Sequence, residues 1–523
     1  MASDMVPVIE YLLLAPCIVT FGAASLSILV EAVVVRRLRF PVQLVLSTTA
    51  IITALAFTVR NWTSADARTI AALGALAIDG PAMAVWVLLL LSALAVLVLL
   101  VERASNNGLS AFTSQASAPP GSTEENVAET TRAEHTEIFS LFLFSLSGML
   151  LLSAASTLLS AFVGCEVMSL PLYLLVGLAR RNRTLSQEAA LKYFLLGATA
   201  SAVFLYGIAL LFGAAGSFDY ADIAATISKM RSDNLLMYAG LGLSTAGLLF
   251  KLGAFPFHAW VPDIYTGAPT AITTFLATCA KIAAVFALLR LLFVPLGALR
   301  WTWQTPLALI ALLTIAFGAI GALTPRNMKR VLAYSAIMNV GFMLLPIVAA
   351  STVQTGTLVS DFVSVSALLF HLTVYALMTL GVFALTLWVG GASGSNSNFD
   401  AWRGLARRNP LLAAMMGIFM LSFIGIPGTG GFASKLLLLT LVWRSGFAWL
   451  ALGALAFSFV VAGCYLRIIR LMFLEPPADL TCATQPSKGV SVLVSICAVL
   501  LLCCGLFPSQ VADIFSNMIG LLR

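Results

Sequence analysis

The chain has 523 residues; 60% are hydrophobic, only 10% are charged, and the formal net charge is +7. A soluble domain carries about 25% charged residues, so this chain cannot cover a water-facing surface of ordinary size and reads as an all-α polytopic membrane protein. Its 8 Cys are scattered without C-x-x-C or metal-ligand spacing, only 3 His occur, and there is neither a P-loop nor a strand-linked G-x-G-x-x-G. A metal centre, a disulfide framework and a nucleotide site therefore have no support. The basic excess sits in short loops between apolar runs, which is a topology signal and not a nucleic-acid one.

A spanning helix needs about 20 apolar residues. Such segments occur at 8–35, 40–60, 80–101, 137–152, 155–178, 188–213, 236–256, 270–298, 305–324, 328–350, 362–390, 411–444, 446–474 and 489–508. They are numbered spans 1 to 14. The stretch 411–444 is long enough for two helices, but it reads as one interrupted helix. The first segment lacks a basic n-region and is too long for a cleavable signal. Residues 104–136, rich in Ser, Thr, Ala and Glu and without periodicity, predict a disordered inside loop, with partner docking as the alternative. With both termini outside, 17 Lys and Arg fall in inside loops, including Arg326, Lys329 and Arg330, against 7 outside. The positive-inside rule thus favours an even count of fourteen.

Five charges lie inside apolar segments: Glu166, Lys192, Lys251, Lys281 and Lys435. Each costs about 2.5–3.5 kcal/mol at a helix centre on insertion scales. Lys192 begins near a helix end and could snorkel; the other three lysines are too deep for that. A buried lysine changes its protonation readily, and Glu166 is the obvious opposite charge. Lys251 stands five residues before Pro256, and Lys435 eight after Pro427 among Gly425, Gly428, Gly430 and Gly431. Backbone broken at membrane depth is tolerated only where protein or a hydrated cavity satisfies it. The breaks fall in spans 7 and 12, five apart, so spans 4–8 and 9–13 would form two five-helix repeats, inverted because five is odd. The expected parts are spans 1–3 (1–103), the loop 104–136, repeats at 137–298 and 305–474, and the last span with its tail (475–523). His258 follows the first break, and His371 lies mid-span with Tyr375 one turn on. A histidine there is a proton-relay candidate by type, or else a packing residue.

KLGAFPFHAWVPDIYTGAPT at 251–270, with Lys281 in the next helix, resembles the antiporter-like membrane subunits of respiratory complex I. EAALKYFLLGATASAVFLYGIALLFG (188–213), NMKRVLAYSAIMNVGFML (327–344) and GIPGTGGFASK (425–435) match as well, and the likeness covers roughly residues 137–510. The resemblance implies fourteen helices with inverted repeats. It assigns Glu166 to the helix 5 glutamate, Lys251 to its helix 7 partner, Lys281 to the central lysine and Lys435 to the exit half. Sister subunits L and M usually read L-P-D where this chain has V-P-D, and M typically carries Glu at the position of Lys435. Subunit L would add a long lateral helix, whereas this chain ends about 15 residues after its last span. One departure is SAIMNVG, where Asn339 replaces a relay histidine that His371 could supply.

The resemblance implies a proton-translocating membrane-arm subunit of an NADH:quinone oxidoreductase in a bacterial cytoplasmic membrane, with both termini outside. This chain would hold no redox centre; FMN, iron–sulfur clusters and quinone would belong to other subunits. Its expected partners are other membrane subunits, especially M and K, together with the lipid bilayer and the transported proton; nucleic acid is not among them. The runner-up is a subunit of a multisubunit cation/proton antiporter or a membrane-bound hydrogenase, and a third class is a free-standing solute transporter.

Overall fold

The computed structural model describes residues 10–63, 69–103, 110–113, 122–124, 127, 135–180, 182–229, 234–350, 359–390, 398–477, 487–516 and 521. Each expected span overlaps a helix. Twelve described helices are long and apolar enough to cross a membrane, and Ile138–Ser153 and Pro410–Ile424 are shorter apolar helices. The polytopic all-α expectation therefore holds. It missed a two-stranded antiparallel hairpin, Thr69–Ala71 with Leu76–Ile78, which is tied to the end of span 4 by Ala77 N–H donating to the Ala154 carbonyl (2.8 Å). It also missed the short helix Tyr220–Lys229, which buries Tyr220, Ile223 and Ile227.

Helix starts follow from capping residues. Asp79 accepts from Ala82 N–H ahead of Gly80–Leu100, with Pro81 in the first turn. Thr157 and Ser160 form a reciprocal capping box for Leu158–Val176, and Asn327 caps Met328–Ala349. Such side chains satisfy amides that have no intrahelical partner.

The two interrupted spans end their first halves alike. Leu235–Leu252 stops at Gly253 with φ +72°, and Pro410–Ile424 stops at Gly425 with φ +89°. That left-handed turn strains any residue with a Cβ. In both, the next amide reaches back five residues: Ala254 to the Leu249 carbonyl (3.0 Å) and Ile426 to the Leu421 carbonyl (3.1 Å). The second halves are Trp260–Gly267 and Gly430–Arg444. The breaks lie where Pro256 and Pro427 were expected to mark them, and each helix turns off at a glycine, Gly253 or Gly425, with the proline in the linking segment.

Span 8 is irregular in another way. It runs from Thr270 to Phe293, but Leu276–Ala280 is a π-helical turn immediately before Lys281. The Tyr375 hydroxyl of Val359–Gly390 donates to the Ala277 carbonyl in that turn (2.8 Å). Spans 8, 10 and 11 form the centre, with 100%, 94% and 89% of their best apolar windows buried against 39% and 33% for spans 1 and 2. A buried ion pair fastens the C-terminal end of span 8 to the start of span 3: Arg290 and Asp79 lie 2.8 Å apart, each 1% exposed.

The loop 104–136 falls largely outside the described residues. Its described part differs from the disordered expectation: Thr113 N–H donates to the Leu178 carbonyl and Arg180 N–H to the Ala111 carbonyl, both at 2.9 Å. Phe112 is buried there, so one short piece of the loop docks on the turn after span 5.

Candidate functional site

Lys251 occupies the last turn of Leu235–Leu252, just ahead of the first break. Its ammonium donates to the hydroxyls of Ser169 (2.9 Å), Tyr173 (3.2 Å) and Ser201 (3.2 Å). Three N–H groups thus meet three acceptors, the full capacity of a lysine. Ser201 donates in turn to a Glu166 carboxylate oxygen at 2.5 Å. The expected Glu166–Lys251 pair is therefore bridged and not direct. One hydroxyl, with one donor and two acceptor positions, takes a bond from the cation and gives one to the anion. Glu166 is only half-buried, while Lys251 is buried.

The span 5 members share one face. Glu166, Ser169 and Tyr173 stand at i, i+3 and i+7, the helical repeat of a single stripe. Gly197 of span 6 leaves room for the stripe: a Cβ there would lie 2.2 Å from the Tyr173 hydroxyl oxygen.

Lys281 is 1% exposed, and its ammonium nitrogen has no hydrogen-bond partner among the described residues. The nearest aromatic face is Tyr265, 5.8 Å from nitrogen to ring centre, and the Tyr265 hydroxyl is itself unpartnered. Tyr265 belongs to Trp260–Gly267, so the second half of the first broken span delivers it to the central lysine.

Lys435 begins the second turn of Gly430–Arg444 and folds back onto the second break. It donates to the carbonyls of Phe423 (2.6 Å) and Ile424 (3.4 Å), which the left-handed turn leaves free of helix bonds. The Phe342 ring lies 5.2 Å from its nitrogen. His371, fully buried, meets the same ring at 6.4 Å between centres and places Nδ1 3.4 Å from the hydroxyl of Ser434, the neighbour of Lys435. His371 Nε2 has no partner among the described residues. Asn339, one turn before Phe342, donates to the Ser335 carbonyl (2.8 Å) and leaves its Oδ1 unpartnered. The Ser335 hydroxyl meets the Tyr465 hydroxyl at 2.5 Å.

Two expected site residues fall elsewhere. Lys192 is 45% exposed and sits in a surface cluster, 2.7 Å from Glu188 and 3.1 Å from Asp263, which Arg330 also reaches at 3.4 Å. Its ammonium is thus paired at the surface, as a snorkelling lysine is, and not in the buried row. His258 is half-buried in the break, stacked on Phe255 at 5.8 Å with Phe317 at 5.3 Å, and touches none of the lysines. Lys329, assigned above to an inside loop, is 1% exposed and donates to the Ala268 carbonyl at 3.0 Å.

The hydroxyls that surround Lys251 were missed because serine and tyrosine carry no charge signal, although the i, i+3, i+7 stripe from Glu166 was present to be read. Lys329 was missed because the neighbouring Arg326 and Arg330 made a loop the simpler reading.

A family profile described as NADH:quinone oxidoreductase/Mrp antiporter, transmembrane, matches residues 155–461. A curated relative from Cutibacterium acnes, named NADH-quinone oxidoreductase subunit N, is 43% identical over 99% of this chain and 96% of its own length. A chain of respiratory complex I from Thermus thermophilus with bound aureothin superposes with a TM-score of 0.74 at 31% identity, covering 95% of this chain and 98% of that one. A chain of the Mrp complex from Dietzia reaches a TM-score of 0.78 at 18% identity over 96% of each chain, a likeness of fold alone.

Proposed function

This chain belongs to the NADH:quinone oxidoreductase/Mrp antiporter family, in its subunit N branch, and from that premise we propose how its buried groups move protons. It is a proton-translocating, multi-pass membrane subunit of an NADH:quinone oxidoreductase, and other membrane subunits of that assembly are its partners. Subunits M and K are the proposed neighbours, and the half-buried face of Glu166 is where one of them would change the local charge. Oxidation of NADH and reduction of quinone occur at the FMN, iron–sulfur and quinone sites of other subunits. The proposed setting is the bacterial cytoplasmic membrane, with both termini outside.

The observation that carries the reading is the graded satisfaction of three buried lysines. Among the described residues Lys251 has three acceptors, Lys435 has two, and Lys281 has none. A change at Glu166 reaches Lys251 through Ser201 and alters what Lys281 feels across the bundle. Unit charges several Å apart at an effective dielectric of about 20 interact by a few kcal/mol, enough to change a proton equilibrium by powers of ten. The proton then leaves Lys281 along span 11, past Tyr375 and His371, to Lys435 and the outside. Spans 4–8 and 9–13 supply the two halves of this path as inverted repeats, each with its own glycine-ended break.

Replacing Lys251 by Ala in the assembled complex tests the reading. NADH-driven pumping should fall sharply while the complex still assembles. Unchanged pumping in intact vesicles rejects the assignment.

A further inference from the structure

Lys329 has no role in the path above. It is sealed from solvent at the base of span 10, and its one hydrogen bond among the described residues goes to the Ala268 carbonyl. Ala268 is the residue that caps Trp260–Gly267, and that short helix has two different ends to offer. Asp263 on it is 37% exposed and joins Lys192, Glu188 and Arg330 in the surface cluster. Tyr265, two residues on, is fully buried beside Lys281. Lys329 and Arg330 are adjacent in sequence, so one backbone step separates the exposed cluster from the sealed amine.

Three polar atoms on or next to the short helix that Lys329 caps lack partners among the described residues: the Tyr265 hydroxyl on that helix, the Thr270 hydroxyl two residues after Ala268, and the Lys281 nitrogen beside the Tyr265 ring. Buried polar groups are normally paired. A lysine on the last carbonyl of a helix is a common cap, but a cap does not call for a silent hydroxyl on the same helix whose ring lies beside a second buried lysine.

We propose that Lys329 is the inside-facing proton donor of this chain, filled from the Glu188–Lys192–Asp263–Arg330 mouth and emptied through the Tyr265 hydroxyl to Lys281. The step exchanges only N–H and O–H bonds. Lys329 gives up one proton, the Tyr265 oxygen takes it as its own proton passes to the Lys281 amine, and water on the inside refills Lys329. The proposal rests on the reading of Lys281 as a proton carrier.

The test uses the assembled oxidoreductase in proteoliposomes, with proton pumping measured per NADH oxidised at matched complex content. Lys329→Arg keeps a cation and a donor for the Ala268 carbonyl but cannot release its proton, so it separates a cap from a carrier. Lys329→Gln keeps the donor without the charge. Tyr265→Phe removes a hydroxyl that has no partner among the described residues, so no hydrogen bond described there is lost. All three should slow pumping about a hundredfold to ten-thousandfold, the range for losing a positioned proton-transfer group. Wild-type pumping by Tyr265→Phe, or by either Lys329 variant in assembled complex, overturns the proposal. If neither Lys329 variant assembles, Tyr265→Phe decides it. Lys281→Ala runs alongside: if it pumps at the wild-type rate, the central-lysine reading has failed, whereas if it is inactive and the others are normal, only the intake route has failed.

Discussion

Ser201→Ala removes the one hydroxyl on which the anion and the cation of the first half meet. Lys251 would keep Ser169 at 2.9 Å and Tyr173 at 3.2 Å, so the ammonium is not orphaned and the fold should survive. Glu166 would lose its 2.5 Å donor. Hydrogen bonds to charged groups contribute about 1.5–3 kcal/mol each. Expressed fully in the rate-limiting step, a loss of that size slows pumping about tenfold to a hundredfold. The through-space attraction survives the substitution, because both charges remain: the bridge bonds of 3.2 and 2.5 Å keep them within about 6 Å, where at an effective dielectric of about 20 they still attract by about 3 kcal/mol. Ser201→Ala should therefore be milder than removing either charge, and Ser201→Thr, which retains a hydroxyl, should stay near wild type. The assay is dye-quench pumping in inverted vesicles beside NADH:quinone reductase activity, normalised to complex content. Wild-type pumping by Ser201→Ala together with impaired pumping by Glu166→Gln would show that the field alone couples the pair. A Glu166–Lys251 double-mutant cycle with no coupling energy would refute the pair altogether.

Gly197→Ala places a Cβ against the Tyr173 hydroxyl and should displace it from Lys251, slowing pumping; Gly197→Ala combined with Tyr173→Phe should recover part of the rate, measured in the same vesicles. His371→Ala should slow pumping and Asn339→His should partly restore it, since both residues lie on the Phe342 side of their spans; a His371→Ala variant that pumps normally returns His371 to a packing role. Asp79→Asn leaves the buried Arg290 cation without its anion and should cost about 3–5 kcal/mol, read as loss of assembled complex on native gels. Removing residues 114–134 while keeping 110–113 should leave turnover intact, whereas Phe112→Asp should reduce assembly by placing a charge where the turn after span 5 is sealed.

Composition and hydropathy were enough to read the spans, and the lone charges within them pointed to Lys251, Lys281, Lys435 and Glu166. These signals are strong because a charge in an apolar run has few explanations. The sequence was misleading where the same residue type serves two ends. Lys192, in the third turn of Arg183–Ala215, reaches out to Asp263 as its snorkelling reading allowed, whereas Lys329, in the first turn of Met328–Ala349, is shut in under Ala268. Which way such a stem turns depends on neighbours from other spans, and no local pattern encodes them. The bridge at Ser201 was invisible for a related reason: span 6 is apolar enough to read as lipid-facing, and only its packing against spans 5 and 7 brings that hydroxyl between two charges.

The π-helical turn at Leu276–Ala280 changes how span 8 counts. Five residues there complete what an α-helix completes in four, so every side chain after it is rotated by about one residue's worth, roughly 100°, relative to a regular helix. Lys281 is the first residue on the shifted register. Removing any one residue from 276–280 would let the segment close as ordinary α-helix and keep the lysine on its present bearing, whereas straightening the turn at full length would swing it about 100° toward a different neighbour. The identity of a residue and its bearing are thus set by separate stretches of chain, and a helix of equal length without the π-turn would aim its lysine elsewhere.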